Sequence, residues 1–211
     1  MTGVLWALVA GFAVLDWYAV WRGSRGLERL AKPLTMVALL AAAVSMGAAD
    51  TPSGRWLLAG LVLGLLGDVA LLSDSEPRFL AGLSAFLLGH LAYVAAFLPV
   101  GPQSLVAALP GAVLVLLLVA LVGRPVLRAA AVQGGPGLGA AVAAYMLVIG
   151  AMVVTGWGTA RPLVAAGASV FMVSDAVLAH ARFVREWRPA HLLVMVTYHL
   201  GQVLIVLGLL R

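Results

Sequence analysis

Long apolar runs dominate this chain, and short segments rich in charge, proline and glycine separate them. Eight runs have about 17 to 21 residues each, the length an α-helix needs to cross roughly 30 Å of hydrocarbon. Open strands are excluded in lipid, and the runs lack the alternation of a β-barrel. We therefore predict an all-α polytopic membrane protein with eight transmembrane helices, near residues 2–21, 33–49, 56–73, 79–98, 104–122, 138–156, 161–180 and 190–210.

Composition excludes a soluble fold. Hydrophobic residues make up 64% of the 211 residues and charged residues 10%, against roughly 45–50% and about 25% in soluble domains. A water-soluble fold of this size cannot bury so much apolar surface. The longest connection, near 123–137, is predicted to be a loop containing glycine and proline. Residues 1–211 are thus expected to form a single transmembrane domain.

The net charge of +5 follows from the distribution of basic residues between alternate connections. The positive-inside rule places the richer set in the cytoplasm and both termini outside. We expect the membrane to be the inner membrane of a bacterial cell. Because topology explains the charge, no nucleic-acid partner is expected. The richer set has ten residues, Arg22, Arg25, Arg29, Lys32, Arg78, Arg124, Arg128, Arg182, Arg185 and Arg188, and the other set has three, Arg55, Arg161 and Arg211.

Several ionisable side chains lie inside the apolar runs, where a charge costs at least a few kcal/mol and is usually functional. Asp68 and Asp175 each lie about five residues before the cytoplasmic end of a run, or roughly 8 Å deep. His90 and His199 lie near the midplane of the runs that follow. We expect these four side chains to line one polar cavity.

A short internal repeat relates the two aspartates. Gly67-Asp68 is followed by Val-Ala-Leu-Leu, and Ser174-Asp175 by Ala-Val-Leu-Ala. A histidine comes 22 residues after the first aspartate and 24 residues after the second. Four helices in each half keep the halves parallel, which predicts a pseudo-two-fold axis along the membrane normal.

Helical spacing predicts which face of the fourth run points inward. Its small, aromatic and ionisable residues share one face and its aliphatic residues occupy the rest. Each of these residues also has a purely structural explanation, since polar and small side chains join helices in membranes. Asp16 of the first run could join the cavity or pair with Arg22 or Lys32, and we expect a structural role for it. The inward face consists of Gly82, Phe86, Gly89, His90 and Tyr93.

Five motifs, spread over nearly the whole chain, resemble those of a known family. They are Lys32-Pro33, Gly67-Asp68, Phe79-x2-Gly82-x3-Phe86-x2-Gly89-His90-x2-Tyr93, Ser174-Asp175-x2-Leu178-Ala179, and Tyr198 with Gln202. The family is that of the YhhN-like membrane proteins, which include the animal lysoplasmalogenases. The resemblance implies eight helices and hydrolysis of the vinyl ether bond of lysoplasmalogens to a fatty aldehyde and a glycerophospho-alcohol. At His199 the chain departs from the family pattern, where a second aromatic or aliphatic residue is expected.

The implied chemistry suits the intramembrane carboxyl groups. Protonation of the vinyl ether β-carbon gives an oxocarbenium ion, which water captures as a hemiacetal that collapses to aldehyde and alcohol. The reaction needs an acid, a base and negative charge near the cation. Burial and mutual repulsion allow one carboxyl to stay protonated near neutral pH while another is ionised. We predict Asp68 and Asp175 as the catalytic pair, with either one as the acid.

The remaining polar candidates are predicted to bind or orient the substrate. Lys32 and nearby arginines at the cytoplasmic mouth are expected to hold the lipid phosphate. The expected partners are a lysophospholipid or related lipid and membrane lipids, without a cofactor, a metal or a protein partner. The other binding or orienting candidates are His90, Tyr93, Tyr145, Ser174, Tyr198, His199 and Gln202.

Three other functions are compatible with the same residues. Paired aspartates and histidines in a repeated bundle also describe a proton-coupled carrier of a small lipid or ion. A carrier opens to both sides, however, and the outer halves of the runs contain almost no ionisable residue. A second alternative is a zinc-dependent intramembrane hydrolase with Asp68, Asp175, His90 and His199 as ligands. The third is a purely structural membrane protein.

Overall fold

The computed structural model describes residues 2–73, 75–101 and 103–211, which are mostly helical and contain no strand. The predicted all-α class is confirmed. A 3-10 turn at Ala48–Asp50 precedes α3, and a π-helical segment at Val119–Gly123 joins α5 to α6. The α-helices are α1 (Thr2–Arg22), α2 (Arg25–Ser45), α3 (Pro52–Leu71), α4 (Glu76–Phe97), α5 (Leu105–Leu118), α6 (Arg124–Gly158), α7 (Pro162–Phe183) and α8 (Ala190–Leu210).

Six helical stretches within the described residues are long and apolar enough to cross a membrane. They are α1, α3, α4, the continuous stretch Leu105–Gly158, α7 and α8. Helix α2 is not among them, and its first half carries Arg25, Glu28, Arg29 and Lys32. Many large aliphatic side chains of these stretches are exposed, as expected for a surface in contact with lipid. The chain is an integral membrane protein.

The predicted bounds of the second run were wrong at both ends. Helix α2 begins at Arg25 rather than at Pro33, because residues 25–32 are mostly strong helix formers. Pro33 lies inside the helix, at the loss of one backbone hydrogen bond. The helix ends at Ser45 rather than at residue 49, because Gly47 has a φ of 85° and so stops it in the left-handed conformation.

The stretch Leu105–Gly158 is a helical hairpin that folds back on itself at Gly134 and Gly135. These two glycines have non-helical backbone angles, and Gly135 has a φ of 71°. Residues on either side of the break meet in antiparallel pairs. The predicted loop at 123–137 was therefore wrong except at the glycines, because the segment before them, which contains three consecutive alanines, stays helical. The pairs are Ala131 with Gly139, Val115 with Gly150, and Gly111 with Trp157.

The chain divides into two compact units. The first comprises Met1–Val100 with Leu209–Arg211 and so contains α1 to α4; the second comprises Gly101–Gly208 and contains α5 to α7 and most of α8. The expectation that residues 1–211 form one domain stays a prediction.

In the first unit, α3 and α4 pack closely because aromatic rings of α4 lie directly against glycines of α3. A Cβ atom at Gly60 would lie 2.5 Å from the ring of Tyr93, and one at Gly67 would lie 2.6 Å from the ring of Phe86. Helix α2 packs against both α1 and α3. This packing brings the inward faces of α2 and α3 together.

In the second unit, α7 and α8 approach each other in the same way. A Cβ atom at Gly167 would lie 2.8 Å from the backbone nitrogen of Ile205, and one at Gly201 would lie 3.1 Å from Phe171. Small residues at such crossings let two backbones come close. Each unit thus contains a glycine-packed helix pair whose first helix carries an aspartate of the predicted catalytic pair.

Candidate active site

A buried ion pair joins α2 to α3 in the first unit. The Nζ atom of Lys32 lies 3.2 Å from Oδ1 of Asp68, and both side chains are almost completely buried. Burying two charges costs several kcal/mol for each ion, which the pair offsets only through close contact. We predicted Lys32 at the cytoplasmic mouth as a ligand of the lipid phosphate, and the structure places its ammonium group beside the Asp68 carboxylate.

Helical periodicity explains why these two residues meet. Lys32 shares one face of α2 with three other buried residues, at i+3, i+4 and i+7. Asp68 continues a buried stripe on α3 that is otherwise made of small residues, so the neighbouring helix can approach the carboxylate. The α2 face comprises Lys32, Thr35, Met36 and Leu39, and the α3 stripe comprises Gly60, Gly64, Gly67 and Asp68.

The predicted inward face of α4 is confirmed, because all five of its residues are buried. Tyr93 lies against Gly60 of α3, and its ring stacks on Phe97 with the centroids 6.3 Å apart. His90 is buried one helical turn before Tyr93. A role of His90 or Tyr93 in binding or orienting a substrate stays a prediction.

A second polar pair joins α6 to α7 in the second unit. The hydroxyl group of Tyr145 donates a hydrogen bond of 2.6 Å to Oδ2 of Asp175. Both side chains are partly exposed in the chain. Tyr145 was predicted as an orienting residue, and the structure places it in contact with the second aspartate of the repeat.

The other candidates of the second unit lie where α7 meets α8. The Ser174 hydroxyl donates a 2.9 Å hydrogen bond to the carbonyl oxygen of Val194, which ties the helix of Asp175 to α8. The ring of Tyr198 meets Phe171 edge-on at a centroid distance of 5.3 Å. His199 and Gln202 are buried in α8. Substrate binding by these α7 and α8 residues stays a prediction.

The partners of the two aspartates differ in charge. In each unit the partner comes from the helix that precedes the aspartate helix: Lys32 in the first unit and Tyr145 in the second. The sequence signal for both partners was a polar side chain inside a helix that is otherwise apolar or amphipathic. Their pairing with the aspartates was missed, because helix packing and not spacing determines it.

Asp16 is a further aspartate inside an apolar helix, α1. Its side chain is completely buried, as is that of Asp68. One proposed partner, Arg22, is exposed, and the other, Lys32, is engaged with Asp68. Its position inside the first apolar run was the available signal.

Within the part of the chain that the structure describes, no group of three or more histidine, aspartate or glutamate side chains is placed to hold a metal ion. The zinc alternative therefore gains no support from the geometry.

Comparison with known proteins identifies the family. A family model described as the YhhN family matches residues 27–209, which include both polar pairs and all of α3 to α7. This chain belongs to the YhhN family. The resemblance noted in the sequence motifs is thereby confirmed.

Curated relatives of this YhhN protein come from mammals and from mycobacteria. Lysoplasmalogenase TMEM86B of Homo sapiens is 39% identical over 166 residues, which cover 76% of this chain and 67% of the relative. The Mus musculus protein of the same name is 32% identical over 85% of this chain and 73% of its own length. A Lysoplasmalogenase of Mycobacterium tuberculosis is 32% identical over 82% and 67% of the two chains. No solved structure gives a significant match.

Proposed function

We propose that this YhhN protein is a lysoplasmalogenase, an integral membrane hydrolase of ether bonds. Its substrate is a lysoplasmalogen, and its products are a fatty aldehyde and a glycerophospho-alcohol. The observation that carries the proposal is the match, at 32–39% identity, to relatives that are named lysoplasmalogenase in two distant groups of organisms. The polar partners of Asp68 and Asp175 support it, since both aspartates lie on helices that are apolar enough to cross a membrane and intramembrane charge usually serves function.

The catalytic part of the proposal assigns the acid and base functions to Asp68 and Asp175. Both act in one reaction, in which a proton must reach the β-carbon and a second proton must leave the attacking water. Three observations support this assignment: the repeat that relates the two aspartates, the ion pair at Asp68 and the hydrogen bond at Asp175.

Lipid mass spectrometry on the purified protein tests the activity. The protein in detergent micelles is incubated with lysoplasmalogen and, separately, with an acyl lysophospholipid of the same chain length and head group. We expect fatty aldehyde from the vinyl ether and no fatty acid from the ester. Release of fatty acid would instead indicate an esterase. Release of neither product would contradict the hydrolase and favour the carrier.

Replacing Tyr145 by phenylalanine is expected to lower kcat/KM by about three- to tenfold. The change removes the hydrogen bond to Asp175 and leaves the ring in place, and one hydrogen bond contributes about 0.5–1.5 kcal/mol. Aldehyde release at several substrate concentrations measures the loss. Tyr18→Phe, at an exposed position of α1, is the control and should keep wild-type activity. Equal activity of the two variants would remove Tyr145 from the site.

We further propose that the protein crosses the bacterial inner membrane eight times, with two parallel halves in one domain and both termini outside. The hairpin at Gly134 and Gly135 supports two crossings within Leu105–Gly158. Because Lys32 is buried beside Asp68, it no longer counts as a charge outside the membrane. The predicted cytoplasmic side then has nine basic residues and the other side has three. The asymmetry remains strong enough to orient the chain.

Reporter fusions test this topology. A reporter active only outside the cytoplasm should be active when fused after Arg211 and inactive when inserted between Gly134 and Gly135. The opposite pattern would invert the orientation. Equal activity at the two points would place them on the same side of the membrane, which contradicts the three crossings proposed between them.

A further inference from the structure

We propose that Lys32 is a positioning residue that holds Asp68 as a carboxylate, so that Asp68 supplies the negative charge and the base while Asp175 supplies the proton. This inference rests on the proposed lysoplasmalogenase function. It divides the two roles that the sequence left open and gives Lys32 a role other than binding the lipid phosphate.

The ion pair fixes the charge state of Asp68. An ammonium group 3.2 Å from a carboxyl oxygen favours the ionised form strongly when both groups are shielded from water. Lys32 is 5% exposed and Asp68 is fully buried, so solvent screens the pair little. Asp68 therefore enters the reaction without a proton to give.

The hydrogen bond that joins α6 to Asp175 comes from an uncharged side chain. Tyr145 lies on the helix before Asp175, as Lys32 lies on the helix before Asp68, and its hydroxyl donates a hydrogen bond of 2.6 Å to Asp175. A hydroxyl group can serve a protonated or an ionised carboxyl, so this contact is compatible with a carboxyl that carries a proton between turnovers. Since the reaction needs one protonated and one ionised carboxyl, Asp175 takes the first role.

The proton balance closes over one turnover. The Asp175 carboxyl gives its proton to the β-carbon, and the π electrons of the vinyl ether form the new C–H bond, leaving an oxocarbenium ion. Water adds to the cationic carbon and loses a proton to Asp68. The hemiacetal then collapses: its hydroxyl proton returns to Asp175, the C–O bond to glycerol breaks, and the departing oxygen takes the proton from Asp68.

A phosphate-free substrate separates this role of Lys32 from head-group binding. The 1-alkenylglycerol has the same vinyl ether and lacks the phosphate. If Lys32 acts through Asp68, Lys32→Met lowers kcat/KM on 1-alkenylglycerol and on lysoplasmalogen by the same factor, about tenfold or more. If Lys32 holds the phosphate, the defect appears on lysoplasmalogen alone, which would overturn the proposal. The ratio of the two values does not depend on the fraction of folded protein.

One further variant and a binding measurement keep this test decisive when Lys32→Met has little activity. Lys32→Arg keeps the cation and should retain most activity on both substrates. Binding of a non-hydrolysable alkyl ether lysophospholipid to Lys32→Met should stay within about threefold of wild type. A loss of affinity beyond tenfold would identify Lys32 as a head-group ligand and refute the positioning role.

Rescue by azide tests the division between the aspartates. Azide is an anion and adds to an oxocarbenium carbon, so it replaces the negative charge and the base-assisted water, but it cannot protonate the β-carbon at neutral pH. We expect azide to raise vinyl ether consumption by Asp68→Ala at least tenfold and to leave Asp175→Ala unchanged. Any other pattern overturns the assignment. Absence of aldehyde release by the wild type would instead refute the proposed function, so the two failures are distinguishable.

Discussion

Asparagine at position 68 or at position 175 is expected to lower the turnover of lysoplasmalogen by about 10²-fold or more in each single variant, the usual scale of general acid–base catalysis. Asparagine keeps the size of the side chain and its ability to hydrogen-bond, but it cannot exchange a proton. At position 68 it also leaves Lys32 without its anionic partner. The measurement is aldehyde release by purified, monodisperse protein at saturating substrate.

The double variant adds a second criterion. If the two aspartates act as a unit, Asp68→Asn with Asp175→Asn should be little worse than the worse single variant. Asp50→Asn is a matched control, because Asp50 is an exposed aspartate in the 3-10 turn before α3. It should keep wild-type turnover. Single variants that each retain more than about a third of that turnover would show that the two-carboxylate mechanism is wrong.

Alanine at Gly167 is expected to destabilise the protein by about 1–3 kcal/mol, the usual cost of overpacking. The new Cβ atom would lie 2.8 Å from the backbone nitrogen of Ile205 and 3.0 Å from the carbonyl oxygen of Gly201. Backbone atoms of α8 cannot rotate away as a flexible side chain can, so the helices must separate. The melting temperature of the detergent-solubilised protein should fall, together with activity, since α7 carries Asp175.

Gly11→Ala is the control for this prediction. Gly11 lies in α1, and a Cβ atom there would meet no other atom within 4 Å. Alanine favours a helix over glycine by about 1 kcal/mol, so this variant should be as stable as the wild type or slightly more stable. A Gly167→Ala protein that melts at the wild-type temperature would contradict the close approach of α7 and α8.

Helix boundaries show where local reasoning succeeds and where it fails. The ends of α1, α4 and α8 lie within a few residues of the predicted bounds, because the apolar runs end there at segments that contain charged residues, glycine or proline. Helix α2 extends into a charged segment that was predicted as a loop. Hydropathy marks the part of a helix that contacts lipid, whereas backbone hydrogen bonding continues through any segment of good helix formers.

The sequence by itself determined that this protein lies in a membrane, that it consists of apolar helices, and which intramembrane residues are candidates for function. The thickness of the hydrocarbon core sets the length of the apolar runs, and the helical period places the five predicted inward residues of α4, all of them buried, on one face. The cost of a charge in lipid identified Asp68 and Asp175 as candidates. These inferences need only local spacing and the properties of single side chains.

Only the tertiary structure decided which groups meet. Lys32 and Asp68 are 36 positions apart on different helices, and Tyr145 and Asp175 are 30 positions apart. No periodicity relates such positions, because the rotation and depth of one helix against the next depend on the glycines and rings at their contacts. The same packing buries Lys32 within α2, whereas the sequence alone predicted a basic residue at the cytoplasmic mouth that holds the lipid phosphate.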